Sequence, residues 1–235
     1  MGAVRAPHCI FILMAGGPSQ ADLFDFEEGP WTPASFRPAT FGGLRFPQGL
    51  MPRLAEQLDS VSFLRKMCAP STTHSVAQAR LPVLLSVGIS GADSVYGRAC
   101  VAGASGPCDF EEACLAARGR LRAANAGLRI EITMGGWDNH QAIYETALNA
   151  RDPSSVARRF DAGLGALLAG LKTDGLLSET LVVAMGEFGR IPGPLNVQGG
   201  RDHCLYHSAL VAGAGTPGGQ VLSSGGGAPP GVFRA

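Results

Sequence analysis

Along the chain, unbroken apolar runs alternate with stretches whose apolar residues recur at helical spacing, and glycine or proline separates them. Cys9 to Met14 is such a run, the pattern of a strand buried on both faces. Ala15-Gly16-Gly17-Pro18-Ser19 breaks it. Residues 26 to 49 are rich in Pro, Gly and Phe without a period and read as irregular loop. Leu50 to Leu58 predicts a short helix and Val61 to Leu64 a short strand. Cys68 to Ser94 has no clear period, although Ser71-Thr72-Thr73-His74 offers a cap for a helix that follows.

The second half is plainer. Asp109 to Ala126 predicts a helix with Phe110, Ala113, Cys114, Ala117 and Leu121 on one face. Asn125-Ala126-Gly127 stops it, and Leu128 to Met134 is a strand closed by Gly135-Gly136. Asp152-Pro153 is read as the start of a second helix, with Asp as cap and Pro in the first turn. Val156, Phe160, Leu164, Leu167, Leu168 and Leu171 follow its period, and Asp174-Gly175 ends it. Thr180 to Met185 and Ala209 to Ala212 are further strands; the Gly/Pro-rich tail, 213–235, is read as loop. Strand and helix in alternation predict an α/β fold, a mostly parallel sheet with helices on both faces. We place it in a single domain over residues 1–212.

Composition narrows the classes. The length of 235 residues is ample for a core. A hydrophobic share of 46% with 16% charged residues is that of a globular chain. A formal net charge of +0 gives no pull toward nucleic acid or an anionic membrane. No apolar run reaches the length of a membrane span, and oligomeric state is left open. The N-terminal apolar segment reads as a strand, not a signal peptide, which leaves localisation open. Arg outnumbers Lys 17 to 2, a skew that fits either anion recognition or codon bias. The six Cys are scattered without a metal-finger spacing.

In a parallel sheet, functional groups collect beyond the carboxyl ends of the strands. The polar clusters of this chain do follow strands. The first strand empties into Ser19, Gln20, Asp22 and Asp25. Leu128–Met134 empties into Asp138, Asn139 and His140. Thr180–Met185 empties into Glu187 and Arg190, with Arg201, Asp202, His203 and His207 beyond. Carboxylates mixed with imidazoles suit Zn²⁺, Mn²⁺ or Fe²⁺ better than Ca²⁺ or Mg²⁺. Each motif alone has a plainer reading. Asp138-x-His140 also fits a turn, Glu187 with Arg190 also fits a structural ion pair, and GGPS also fits a tight turn instead of a nucleophile.

The blocks Met14-Ala15-Gly16-Gly17-Pro18-Ser19-Gln20 with Asp22, Phe24 and Asp25, then Gly136-Trp137-Asp138-Asn139-His140, occur together with Gly186-Glu187-Phe188-Gly189-Arg190 and Gly199-Gly200-Arg201-Asp202-His203. In this combination and order the chain resembles the bacterial DUF1501 domain family, related to sulfatases and the alkaline phosphatase superfamily. The resemblance implies an alkaline-phosphatase-like fold and a metal-assisted hydrolase acting on a small anionic phosphate or sulfate ester. Carried over by position, it implies Asp138, His140, Asp202 and His203 as metal ligands. Ser19, Glu187 and Arg190 become catalytic candidates, and Arg201 and His207 substrate-binding ones. Two departures from the superfamily stand out: Ala15-Gly16 replaces an Asp ligand, and Phe188 replaces a His. The resemblance also implies a shortened chain, with a segment missing near 87–96, and relatives that commonly carry an export signal. A non-catalytic or truncated family member with a binding or structural role is the alternative.

Overall fold

A computed structural model describes residues 8–86, 95–102, 109–125 and 127–223 of the chain. In chain order its elements begin with β1 (His8–Met14), β2 (Ala39–Phe41), β3 (Leu44–Phe46), α1 (Pro52–Ala55), β4 (Val61–Cys68), α2 (His74–Ser86) and β5 (Val95–Ala102). They continue with α3 (Phe110–Arg122), β6 (Leu128–Met134), α4 (Val156–Thr173), β7 (Thr180–Met185), β8 (Gly189–Arg190), β9 (His203–Cys204), β10 (Tyr206–Ala212) and β11 (Gln220–Ser223). The main sheet has the order β11-β4-β10-β7-β1-β6-β5. Every pairing in it is parallel except those of β10, which runs against both β7 and β4.

The period of two along each strand divides its side chains between two cores. Ile10, Ile12 and Met14 of β1, Val182 and Ala184 of β7, and Leu210 and Ala212 of β10 enter the larger core, under α3 and α4. Phe11 and Leu13, Val183 and Met185, and Ala209 and Val211 face the opposite side with Leu81 of α2. The sheet is thus covered on both faces, as the unbroken apolar runs require. The face anticipated for α3 is the one buried: Phe110, Ala113, Cys114, Ala117 and Leu121.

Two polar contacts lock the helical layer. Arg118 of α3 holds Asp174, at the end of α4, through Nε at 2.6 Å and Nη2 at 2.8 Å. Asp161, buried within α4, accepts the free backbone N–H groups of Leu54 at 2.7 Å and Arg53 at 3.1 Å. A carboxylate from one helix therefore caps the first turn of another, which is how so short a helix as α1 persists.

Several sequence expectations change. Residues 39–46, read as loop, form the β2–β3 hairpin, because Gly42 and Gly43 both take positive φ and close a two-residue turn. The tail contributes β11, paired with β4 at the sheet edge. β5 was not anticipated, since its sequence interrupts any apolar run with Gly97 and Arg98. Helix α4 starts at Val156 after Ser155, not at Asp152; the Asp152 carboxylate instead bonds the N–H and hydroxyl of Ser154. The expected missing segment near 87–96 falls largely on residues 87–94, outside the described residues.

Phe160 joins these layers. It is fully buried, stacks on Phe110 with centroids 5.6 Å apart, and meets Trp137 edge-on at 5.6 Å. Phe160→Ala is expected to cost about 3–5 kcal/mol in chemical denaturation. A loss below about 1 kcal/mol would mean that the aromatic junction does not carry the packing.

Candidate metal centre

Strand β1 ends in a glycine turn whose two faces do different work. Gly16 and Gly17 have φ of +118° and +68°, and a Cβ on either would come within 2.5 Å of Asp138 N or of the Phe188 ring. Only glycine fits. Their N–H groups point at Glu187, which follows β7: Gly16 N lies 3.0 Å from Oε1 and Gly17 N 3.3 Å from Oε2. Glu187 Oε1 also accepts from Gln78 Nε2 at 2.9 Å and contacts His74 Nδ1 at 2.7 Å. His74 opens α2 and Gln78 lies one turn on, so both reach the same oxygen. A buried carboxylate requires donors of this number.

Three imidazoles face Asp138, each held from behind. His74 gives Nδ1 to Glu187, His140 gives Nδ1 to Asp202 Oδ1 at 3.2 Å, and His203 gives Nδ1 to the Thr72 carbonyl at 3.1 Å. An acceptor at Nδ1 selects the tautomer that leaves a lone pair on Nε2. The three Nε2 atoms then lie 3.5, 3.0 and 3.3 Å from the Asp138 carboxylate, in the order His74, His140, His203. His140 and His203 bring their Nε2 atoms to 3.1 Å. Phe188 is buried and walls the cluster, its ring centroid 4.7 Å from that of His74 and 4.5 Å from that of His203.

The geometry fits a cation. His74, Asp138 and His203 offer ligand atoms all within 4.8 Å of one another. Among the described residues, the buried Nε2 of His74 has no hydrogen-bond partner. Ligands around a tetrahedral ion with bonds of about 2.0–2.1 Å stand roughly 3.3 Å apart, close to the 3.5 and 3.3 Å that separate the Asp138 carboxylate from His74 and His203. Burial pushes the Asp138 carboxyl up, but the hydrogen bond and positive charge of Arg190 outweigh it and hold the group at about 2. For His203, burial and the nearby positive groups lower the pKa and favour the neutral, ligating form.

The remaining expected residues fall in other places. Arg190 is buried, with Nε on Gly17 O at 2.7 Å, Nη2 on Gly16 O and Asp138 Oδ1 at 2.5 Å each, and Nη1 on Arg201 O at 2.8 Å and His140 Nε2 at 3.2 Å. Arg201 spends its donors on both oxygens of buried Asp22, on Ile191 O and Gly193 O, and on the Tyr144 hydroxyl. All five N–H groups of each guanidinium thus have acceptors inside the protein. Ser19 is buried and donates to Asp22 Oδ2 at 2.6 Å, within that second network. Asp202 stands behind His140 instead of beside Asp138. His207 is buried in β10, and its Nδ1 has no hydrogen-bond partner among the described residues. Among the described residues, the group whose ligand atoms could hold a metal contains His74 with Asp138 and His203, and lacks His140 and Asp202. The sequence signal for His74 was the capping run before α2, which puts it in the first helical turn.

The family profile for a protein of unknown function (DUF1501) matches residues 90–226. The chain belongs to the DUF1501 family. No curated protein matches it by sequence. Among solved structures, this DUF1501 chain is similar to Ps i-CgsB, solved with k-i-k-neocarrahexaose, at a TM-score of 0.56 and 10% identity over 93% of this chain and 68% of that one. It is also similar to the lipoteichoic acid synthase LtaP from Listeria monocytogenes, at a TM-score of 0.51 and 12% identity over 94% and 70% of the two chains. A protein in the alkaline phosphatase superfamily from Vibrio parahaemolyticus aligns at a TM-score of 0.49 and 12% identity over 93% and 62%. At these identities the first two likenesses establish the α/β fold alone. Among the described residues of this DUF1501 chain, no helix is long and apolar enough to cross a membrane.

Burial pushes His207 down from 6.5 to about 4, against the pull of nearby Glu187. A His whose folded pKa is depressed adds nothing to the pH dependence above about 6.5, and destabilises the fold as pH falls toward its folded value. Its neutral burial should therefore cost on the order of 3 kcal/mol by about pH 4. Urea unfolding of His207→Gln at high and low pH should show a shallower acid loss than the parent chain. Equal slopes would show that His207 does not govern acid sensitivity.

Proposed function

We propose that this chain is a metal-assisted hydrolase of phosphate or sulfate esters, with His74, Asp138 and His203 holding one divalent transition ion. The observation that carries this reading is the convergence of pinned Nε2 lone pairs on a half-exposed carboxylate. Mixed nitrogen and oxygen donors favour Zn²⁺, Mn²⁺ or Fe²⁺. Such an ion supplies Lewis acidity toward an ester oxygen and lowers the pKa of water.

The chain's own residues do the positioning. Glu187 and the Thr72 carbonyl fix the tautomer and aim of His74 and His203. Phe188 keeps water from the back of both rings. On this reading Glu187 and Arg190 act behind the reacting atoms, because both are buried and already bonded. Water is the attacking group, since the Ser19 hydroxyl is committed to Asp22. Asp138, with 49% of its side chain exposed, marks the open mouth where a small anionic ester enters.

The purified chain should carry close to one equivalent of transition metal and hydrolyse p-nitrophenyl phosphate or sulfate. Asp138→Asn should lower kcat/KM by about 100-fold or more, and Glu187→Gln by about 10–100-fold. Metal-free protein, or turnover unchanged in Asp138→Asn, would sink the proposal.

A second reading keeps the fold without turnover, as a binding or structural protein. It is favoured by one observation: no N–H of Arg190 or Arg201 is left to grip an anion. Bound metal together with no hydrolysis of either ester class, and a chelator that lowers Tm, would decide for it.

A further inference from the structure

We infer that Arg190 is the second cation of this centre: its guanidinium takes the position between Asp138 and His140 that a paired metal ion would need, so the chain binds one ion. The inference rests on the metal-centre reading above. Paired metal sites place two ions roughly 3.5–4 Å apart and share ligands between them. Here the two carboxylate oxygens of Asp138 are already divided. Oδ2 faces His74 Nε2 at 3.5 Å, while Oδ1 takes Arg190 Nη2 at 2.5 Å and lies 3.0 Å from His140 Nε2 and 3.3 Å from His203 Nε2.

His140 is divided in the same way. With its Nδ1–H given to Asp202, its single remaining lone pair on Nε2 takes Arg190 Nη1 at 3.2 Å. A metal ion on that lone pair would have to expel the guanidinium. The guanidinium has no exit, because Gly16 O, Gly17 O and Arg201 O hold its other N–H groups in a buried cage. The cage is rigid for a local reason: two of its three carbonyls belong to the glycine turn that Glu187 fastens from the opposite side. His140 is therefore a partner of Arg190, and it stands outside the group formed by His74, Asp138 and His203.

The test titrates Zn²⁺ into chelator-stripped protein, read by calorimetry and by metal content after desalting. The parent chain should bind one equivalent, and Arg190→Lys should also bind one. Arg190→Ala should bind two, and His140→Ala in that background should return the count to one. Two equivalents in the parent chain, or one in a folded Arg190→Ala, overturns the inference. If Arg190→Ala gives no cooperative melt, His140→Ala alone decides. Its single Zn²⁺ should bind within about threefold of the parent affinity, whereas a loss of about tenfold or more makes His140 a ligand and overturns the inference. Zero equivalents in the parent chain removes the metal-centre reading itself and the inference with it, so the two failures are told apart by the count.

Discussion

Everything at the rim of this sheet depends on the Gly16–Gly17 turn, which offers N–H groups to a buried anion on one side and carbonyls to a buried cation on the other. Glu187 takes the first face and Arg190 the second. Isolated, either charge would be too costly to bury; neighbouring and fully bonded, they stabilise the turn that separates them. Because β1 lies between β6 and β7, this turn also sets the distance between the loops that leave those strands. Asp138 approaches so closely over Gly16 that a side chain there would push it off. The aim of the carboxylate is thus decided by the absence of a methyl group.

Topology explains why one short stretch supplies so many of the site's residues. A parallel neighbour to β7 would need a crossover carrying the chain back to the far edge. β10 is antiparallel to β7, so its first residues lie beside the last residues of β7. Residues 186–205 therefore never leave the rim, and Glu187, Phe188, Arg190, Arg201, Asp202 and His203 all fall there. The carboxyl end of β4 reaches the same edge through its pairing with β10 and leads into α2, which brings His74. The loop after β6 is pressed against this stretch where the Gly200 backbone abuts His140.

What could be read from sequence follows from how local each signal is. The buried face of α3 and the bounds of β6 and β7 were legible because periodicity and flanking turns lie within the element itself. That acidic and imidazole groups would gather past three strand ends was legible from the parallel-sheet rule. His74 was not selected as a ligand, because its reason for being there is Glu187, 113 residues away. The arginines misled in an instructive way. Arg190 and Arg201 have the composition of anion-binding residues, but whether a guanidinium is free depends on carbonyls, which carry no side-chain signature. Backbone carbonyls of Gly16, Gly17, Ile191, Gly193 and Arg201 take half of these donors, and side chains distant in sequence take the rest.

Phe188 is the sharpest case. The sequence expectation is that it subtracts a ligand. In the structure it does something an imidazole would do poorly: its ring lies against His74 and His203 and keeps solvent from their inner faces. Burial is the first cause of the lowered pKa of His203, so the apolar wall works toward the neutral imidazole that can donate a lone pair. A polar ring at this position would need its own partners in a pocket lined by Ala69 and Ala77, which offer no side-chain donors or acceptors. Gly16–Gly17 and Phe188 therefore act on one cluster: the turn's carbonyls hold Arg190 against Asp138, and the Phe188 ring shields the imidazoles of His74 and His203.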